Sequence, residues 1–297
     1  MNEIIFLGTS SMAPTKERNQ PSVIIRHGGE IHMLDCGEGT QKQMKHAKIS
    51  PAKIKNIYIS HWHGDHVIGL PGLLQTLAAN EYTGRLSIFG PEGTKTKFAL
   101  LMEIFPFENT VETIVSDIKT GIIFETSDYL VHAKELRHSI KCFGYSFTEK
   151  DKVRVSTEKL KKLGLKDGPY LKDVIAGKSV KVGGKSISQN DICTIKKGKK
   201  VTYITDTALC DEAIQLAENS DVLICESTYG RIFGEKAEKR LHLTSMDAAR
   251  IALESNSKKL ILFHFSQRYE SVSELEEEAR EIFPNAISAY DFMKVKL

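Results

Sequence analysis

His61-Trp62-His63-Gly64-Asp65-His66 sets three imidazoles and one carboxylate within six residues. Together these groups are the donor set of a borderline divalent metal such as zinc. Their spacing suggests how the donors divide. Ile57-Tyr58-Ile59 reads as a buried strand, so the cluster begins where a strand ends. Residues two apart on an extended chain point the same way, so His61 and His63 are placed to share one metal. Gly64 lets the chain turn, and Asp65 and His66 then face a second metal beside the first.

A two-metal site needs donors from other elements. In α/β layers, functional residues collect at the C-terminal ends of strands, where loops open into a cleft. His138 follows a strand ending at Leu136, Asp206 follows Val201–Ile204, and His264 follows Leu260–Phe263. The same position makes each a candidate ligand. Other histidines read as structural: His27 and His32 flank a turn, His46 is near a helix end, and His132 lies within a strand. His242 differs. It stands just before a helix for which Thr244 is a good N-cap, where a proton donor could reach the cleft.

The elements that must position these groups are legible in the apolar pattern. Strands are predicted at Glu3–Leu7, Ser22–His27, Ile31–Leu34 and Ser87–Phe89, with helices at Gln41–His46, Val67–Ala79 and Lys95–Ile104. A meander follows at Ile122–Phe124, Tyr129–Leu136 and Cys142–Phe147. Strands Val201–Ile204, Val222–Cys225, Leu260–Phe263 and Ala286–Ala289 then alternate with helices Asp211–Ala217, Thr244–Glu254 and Ser271–Ile282. Meander first and β-α alternation later imply layered α/β with a mixed sheet on each side.

Glu149–Lys200 interrupts this pattern. Lys150–Lys200 holds 15 Lys and Arg against 5 Asp and Glu, a net +10, whereas the whole chain carries +3, leaving −7 elsewhere. A basic insert on an acidic body is the footprint of a polyanion partner. Glycine and proline punctuation with Leu163, Leu165, Tyr170, Leu171, Val174 and Ile175 predicts a small folded knob rather than a bare linker.

The 297 residues suffice for one large domain or two small ones, and 41% hydrophobic with 27% charged residues fits a soluble globular protein. The first residues are wrongly flanked for a signal peptide, and no apolar run approaches the roughly 20 residues of a membrane helix. Five dispersed cysteines argue for reduced thiols in a cytoplasm.

His-x-His-x-Asp-His followed by a distant His, Asp and His resembles the signature of the metallo-β-lactamase superfamily. Within it, the chain resembles the ribonuclease Z family of tRNA 3′-processing endonucleases. The likeness is carried further by Phe6-Leu7-Gly8-Thr9-Ser10, by the loop Pro14-Thr15-Lys16-Glu17-Arg18-Asn19, and by Leu34–Gln41. Gly69-Leu70-Pro71-Gly72-Leu73-Leu74, Glu226-Ser227-Thr228 and His242-Leu243-Thr244 extend it.

The resemblance implies a four-layer αββα sandwich over residues 1–297, with a flexible tRNA-binding arm inserted at 149–198. It implies two zinc ions per subunit: His61, His63 and His138 on one, Asp65, His66 and His264 on the other, and Asp206 bridging. Asp65 would accept a proton, His242 would protonate the leaving 3′ oxygen, and Glu226 would orient His242. Lys16, Arg18, Asn19, Gly168, Pro169 and Thr244 would contact substrate. The partner would be precursor tRNA, gripped by the arm of one subunit of a homodimer and cut by the other.

Three rivals compete. A thioesterase, lactonase or arylsulfatase on the same scaffold has no need of a basic arm. A diiron redox protein of this fold expects a carboxylate where His63 stands. A non-catalytic RNA-binding relative has no use for a complete donor set.

Overall fold

The structure, a computed structural model, describes Met1 and residues 3–297. Alternation along the first strands builds the layers. Ile4 and Phe6 turn into one core while Ile5 and Leu7 turn into another, because successive side chains on a strand face opposite ways.

Strands β1 (Glu3–Gly8), β2 (Ser22–His27), β3 (Glu30–Leu34), β4 (Ile54–Tyr58), β5 (Arg85–Gly90) and β6 (Glu112–Asp117) form the first sheet, with the C-terminal β18 (Lys294–Lys296). Its order is β18-β1-β2-β3-β4-β5-β6, antiparallel as far as β3 and parallel from β3 to β6. The hand-over follows from the connections. Gly28 and Gly29, both at positive φ, close a tight β2–β3 hairpin. Helical crossovers at Thr40–His46, Gly69–Ala79 and Thr94–Ile104 then permit only parallel pairing.

The second sheet repeats the scheme. It contains β7 (Gly121–Glu125), β8 (Tyr129–Leu136), β9 (Cys142–Glu149), β14 (Lys200–Ile204), β15 (Val222–Glu226), β16 (Leu260–Phe263) and β17 (Ala286–Ser288). The meander β7–β9 and β14 pair antiparallel, and β14 to β17 are parallel. Phe6, Val23 and Tyr58 from one sheet meet Phe147, Tyr203 and Phe263 from the other. Outside them, Leu70, Leu73, Leu74 and Leu77 cover the first sheet, and Ala248, Ala249, Ala252 and Leu275 cover the second. This is a four-layer αββα sandwich. Each fully buried Leu, Ile or Phe contributes about 1.5–3 kcal/mol.

Residues 152–196 stand apart with a core of their own. Strands β10 (Lys152–Val155) and β13 (Cys193–Lys196) form a two-stranded stalk, and β11 (Val180–Val182) with β12 (Lys185–Ile187) a second ribbon. Leu160, Val174, Ile187, Ile192 and Cys193 are buried among them. At the base of the stalk the two chains approach so closely that a Cβ on Gly198 would lie 2.0 Å from the Glu149 carbonyl oxygen.

Some elements differ from expectation. The helix predicted over Val67–Ala79 is two, Gly64–Val67 and Gly69–Ala79. At the junction a Cβ on Gly69 would sit 2.0 Å from the Gly37 carbonyl oxygen, so a close backbone approach sets the break. Strands β6 and β18 were not expected: β6 has mixed polar and apolar residues, and β18 is a three-residue edge strand. In the arm, Leu163 and Ile175 are exposed, and Leu160, Ile187 and Ile192 supply much of the core instead. All five cysteines are free. Among the described residues no helix is long and apolar enough to cross a membrane.

Candidate active site

The donor residues meet where the ends of β4, β8, β14, β15 and β16 converge. Two clusters form, His61–His63–His138–Asp206 and Asp65–His66–His264, and a third grouping joins His242 to Asp206 and His264, each with its candidate ligand atoms within 4.8 Å of one another. Asp206 serves both. Its Oδ2 lies 3.6 Å from His61 Nε2 and 3.8 Å from His138 Nε2, while Oδ1 lies 3.1 Å from His264 Nε2 and 3.6 Å from His66 Nε2.

The surrounding acceptors fix which ring nitrogen faces the centre. Asp35 Oδ2 is 2.8 Å from His66 Nδ1, and an ionised carboxylate only accepts, so Nδ1 carries the proton and Nε2 turns inward. The Leu241 carbonyl does the same for His138 Nδ1 at 3.0 Å. Ser60 Oγ donates to Asp35 at 2.8 Å and so accepts from His61 Nδ1 at 3.0 Å. Thr228 Oγ1 donates to Glu226 at 2.5 Å and accepts from His264 Nδ1 at 3.0 Å. His63 is reversed: its Nδ1 points inward, 2.9 Å from His61 Nε2 and 3.3 Å from His138 Nε2.

This arrangement fits a cation. Imidazole nitrogens converge lone pair to lone pair, and the buried Nε2 atoms of His66 and His264 have no hydrogen-bond partner. Orphaned buried polar atoms are rare and ask for an explanation. Six Asp and His side chains with a shared carboxylate between them answer it as a dinuclear zinc-binding site.

Electrostatics agree. Burial and the adjacent His66 push His61 well below the ordinary imidazole range, and burial with His138 lowers His63. Burial works against charge on Asp65 and Asp206 too. The imidazoles facing them, led by His66 for Asp65 and His264 for Asp206, nevertheless hold both carboxyls below their usual range. His66 is raised despite burial, by Asp65, Asp35 and Asp206. The pocket favours positive charge at its centre.

His242 lies beside the metal-binding groups. Its Nδ1 is 3.1 and 3.2 Å from the two oxygens of Glu226, a fully buried carboxylate that also accepts from Thr207 N at 2.8 Å. Burial opposes the imidazolium, but Glu226 and then Asp206 raise it to about 9. The cleft these residues line encloses about 500 Å³. Asp35, Leu241 and His264 all adopt positive φ, at 56°, 56° and 61°. Such backbone costs on the order of 1–3 kcal/mol each, and here it places a carboxylate, a carbonyl and a ligand at the site.

Other sequence-predicted contacts are placed differently. Lys16 is exposed. Arg18 is turned inward and anchors its loop: Nη2 donates to the Tyr269 carbonyl at 2.6 Å, so it offers no open fork to a ligand. Asn19 is likewise built in, its N donating to Asp291 Oδ2 at 2.8 Å and its Nδ2 to the Glu38 carbonyl at 2.7 Å. Thr244 caps the helix Ser245–Glu254 through a reciprocal box with Asp247, which occupies its hydroxyl. Gly168 and Pro169 lie in the arm, at the start of the helix Tyr170–Ile175.

Asp35 falls within the motif Leu34–Gln41 but was not among the expected site residues. It ends an apolar strand, the same signal that singled out Asp206 and His264. Ser60, Thr228 and the cations Lys236, Lys239, Arg240 and Arg268 along the cleft were also missed. Ordinary polar residues in loops carry no local mark of a site.

Fold and centre together define a metal-dependent hydrolase of the metallo-β-lactamase fold. A family model described as "Anti-Pycsar protein Apyc1" matches residues 2–100. The ribonuclease Z of Pyrococcus horikoshii is 40% identical over 100% of this chain and 96% of its own. That of Methanothermobacter thermautotrophicus is 39% identical over 100% and 97%. The crystal structure of human tRNase Z, short form, superposes with a TM-score of 0.73 at 27% identity, covering 99% of this chain and 98% of the other. The metallo-β-lactamase fold protein YhfI from Bacillus subtilis, at 16% identity and a TM-score of 0.72, shares the fold. The chain belongs to the ribonuclease Z family.

Proposed function

We propose that this chain is the endoribonuclease that removes the 3′ trailer from tRNA precursors, with its labour divided between cleft and arm. The observation that carries this reading is Asp206 placed between histidines of two donor clusters in a chain of this family.

His61, His63, His138, Asp65, His66, His264 and Asp206 would hold two zinc ions, whose chemistry when bound would be activation of water and neutralisation of the phosphodiester charge. The protein's groups do the rest. Asp65, at the cleft, accepts the proton of the attacking water. Oxygen attacks phosphorus, the bond to the tRNA O3′ breaks, and His242 delivers a proton to that oxygen through Nε2. Glu226 holds Nδ1–H and so fixes the tautomer, as a buried carboxylate does for a catalytic imidazole. The tRNA leaves with a 3′-OH and the trailer with a 5′-phosphate.

The arm supplies choice of substrate. Lys161, Lys166, Lys172, Lys181 and Lys185 are exposed and, among the described residues, have no carboxylate partner, so they are free to meet RNA phosphates. Recognition of a folded RNA by its shape suits such contacts. The insert at 149–198 acts as a tRNA-binding arm, Gly168 and Pro169 included. In a homodimer the arm of one subunit holds the tRNA cut by the other, in the cytoplasm. Lys16 holds the RNA near the cut, and cleavage falls just after the discriminator base.

The test is cleavage of one 3′-extended tRNA precursor by zinc-loaded protein, with both product ends mapped. A single cut leaving tRNA 3′-OH is expected. An uncut precursor beside brisk thioester hydrolysis would overturn the reading.

A further inference from the structure

Four cations line the cleft beside His242: Lys236, Lys239 and Arg240 from the helix Gly234–Arg240, and Arg268 from the loop after β16. All are exposed, and among the described residues none has a carboxylate partner. The contrast with nearby Arg231 is direct, since that side chain pairs with both Glu278 and Glu281. Unpaired charges gathered along one wall leave a positive potential pointing into the cleft.

Arg268 is held by other means. Its guanidinium lies 4.5 Å from the Phe233 ring centroid and 5.1 Å from that of Tyr229, and Nε donates to Ser266 Oγ at 3.0 Å. Stacking uses the flat face of the guanidinium and the Ser266 bond uses one donor. The Nη edge remains, and that edge is the fork that matches phosphate oxygens. Tyr229 in turn packs edge-on against His242, with ring centroids 6.0 Å apart. An aromatic platform therefore joins the fork to the candidate proton donor.

We infer that Arg268, held on Phe233 and Tyr229, grips the backbone phosphate of the last nucleotide of the tRNA body, with Lys236 and Lys239 adding attraction along the same strand. The inference rests on the tRNA-processing reading above. His242 gives its proton to O3′, so the nucleotide bearing O3′ lies on the His242 side. The next phosphate into the tRNA lies beyond it, across Tyr229. A clamp fixed to the protein body at that point sets where the cut falls, whereas the arm grips the tRNA at a distance. Arg268 is thus a positioning residue for the leaving-group side.

The test uses the full-length zinc-loaded protein with three ligands: a 3′-extended precursor, bis-p-nitrophenyl phosphate, and mature tRNA as a competitive inhibitor. Arg268→Ala is expected to raise KM for precursor about tenfold, the scale of one charge-assisted contact. Its kcat should change less than KM. The inhibition constant of mature tRNA should rise by the same factor, since mature tRNA keeps the gripped phosphate. Arg268→Lys should restore only part of the loss, because an ammonium neither stacks nor forks in the same way. Lys236→Ala with Lys239→Ala, at exposed positions, should lower the salt dependence of KM by roughly one in the log–log slope for each phosphate no longer neutralised.

Unchanged inhibition by mature tRNA would overturn the inference, because the clamp would then not hold the tRNA body. Equal losses on precursor and on bis-p-nitrophenyl phosphate would overturn it too, as a sign of general damage. If the unsubstituted protein leaves precursor uncut, the tRNA-processing reading itself fails, and that result is seen before any variant is compared.

Discussion

In the cleft, His66 and His138 each donate a proton from Nδ1 to a fixed acceptor, and the atoms left over converge within a few ångströms. In the arm, Lys161, Lys172 and Lys181 are exposed, and among the described residues none has a carboxylate partner. The cleft is tightly specified: each of these rings is oriented by a named acceptor. The arm is under-determined, and its charge rather than any single geometry carries its effect. Bond-breaking needs atoms fixed to fractions of an ångström, while holding an RNA surface needs many weak, interchangeable contacts. On the proposed reading one chain meets both needs by separating them, with Gly198 and the β10–β13 stalk at the join.

This contrast can be broken most directly at Asp206. Asp206→Ala should lower turnover on both precursor tRNA and bis-p-nitrophenyl phosphate by roughly a thousandfold or more, because it removes the carboxylate that faces histidines of both clusters. Zinc content measured alongside should fall with it. Retained activity on the small diester would mean that Asp206 does not link the clusters.

Deleting residues 150–197 should have the complementary outcome. Precursor cleavage should fall on the order of a hundredfold as several exposed lysines proposed to meet phosphates are removed, while the small diester is still hydrolysed. Collapse of both activities would make the arm part of the fold of the body.

A milder change separates the arm's fold from its charge. Leu160→Ala removes a buried side chain of the arm's core and should cost about 2–4 kcal/mol there. Hydrogen exchange should rise within residues 152–196 and stay unchanged in the sandwich. Exchange rising equally in both would show that the two cores are one cooperative unit.

Asp35→Asn tests how tightly the cleft is specified. The amide cannot accept as strongly from Ser60, Tyr203 and His66 together, so His66 loses its fixed tautomer. Metal affinity should weaken about 10- to 100-fold, the usual scale for a partner that orients a ligand. A zinc titration against a competing chelator reads this without any substrate.

A further difference between sandwich and arm is one of pH. His32 is fully buried in the sandwich, and burial lowers it to about 3, with His27 adding to the shift. The unfolded imidazole titrates near 6.5, so the unfolded state binds the extra proton first. Stability is then full above about 6.5 and falls as pH drops toward 3, by about 1.4 kcal/mol per pH unit. The arm has no buried histidine, so acid should loosen the sandwich before the arm. His32→Gln should flatten the acid limb of the melting curve, and an unaltered limb would assign it to other groups.

Much of the site was written in order along the chain. His61, His63, Asp65 and His66 are close in sequence, and a strand end with its turn dictates that they point together. His138, Asp206 and His264 share one local signal, a polar group just past an apolar strand, and the parallel pairing of β14, β15 and β16 aligns two of those ends. Asp35 carries the same signal at the end of β3, where no metal-binding motif drew attention to it.

The sequence by itself determined the donor set, the layered α/β alternation and the concentration of charge in the insert. Each follows from spacing or composition, which are properties of the chain before it folds. Only the tertiary structure decided which ring nitrogens face the centre. It also turned Arg18 inward and gathered Arg268 with Lys236 and Lys239 on one wall. Those outcomes depend on which distant carboxylate, carbonyl or aromatic ring lies within hydrogen-bonding or stacking distance, and that is set by packing across elements more than by anything local in sequence.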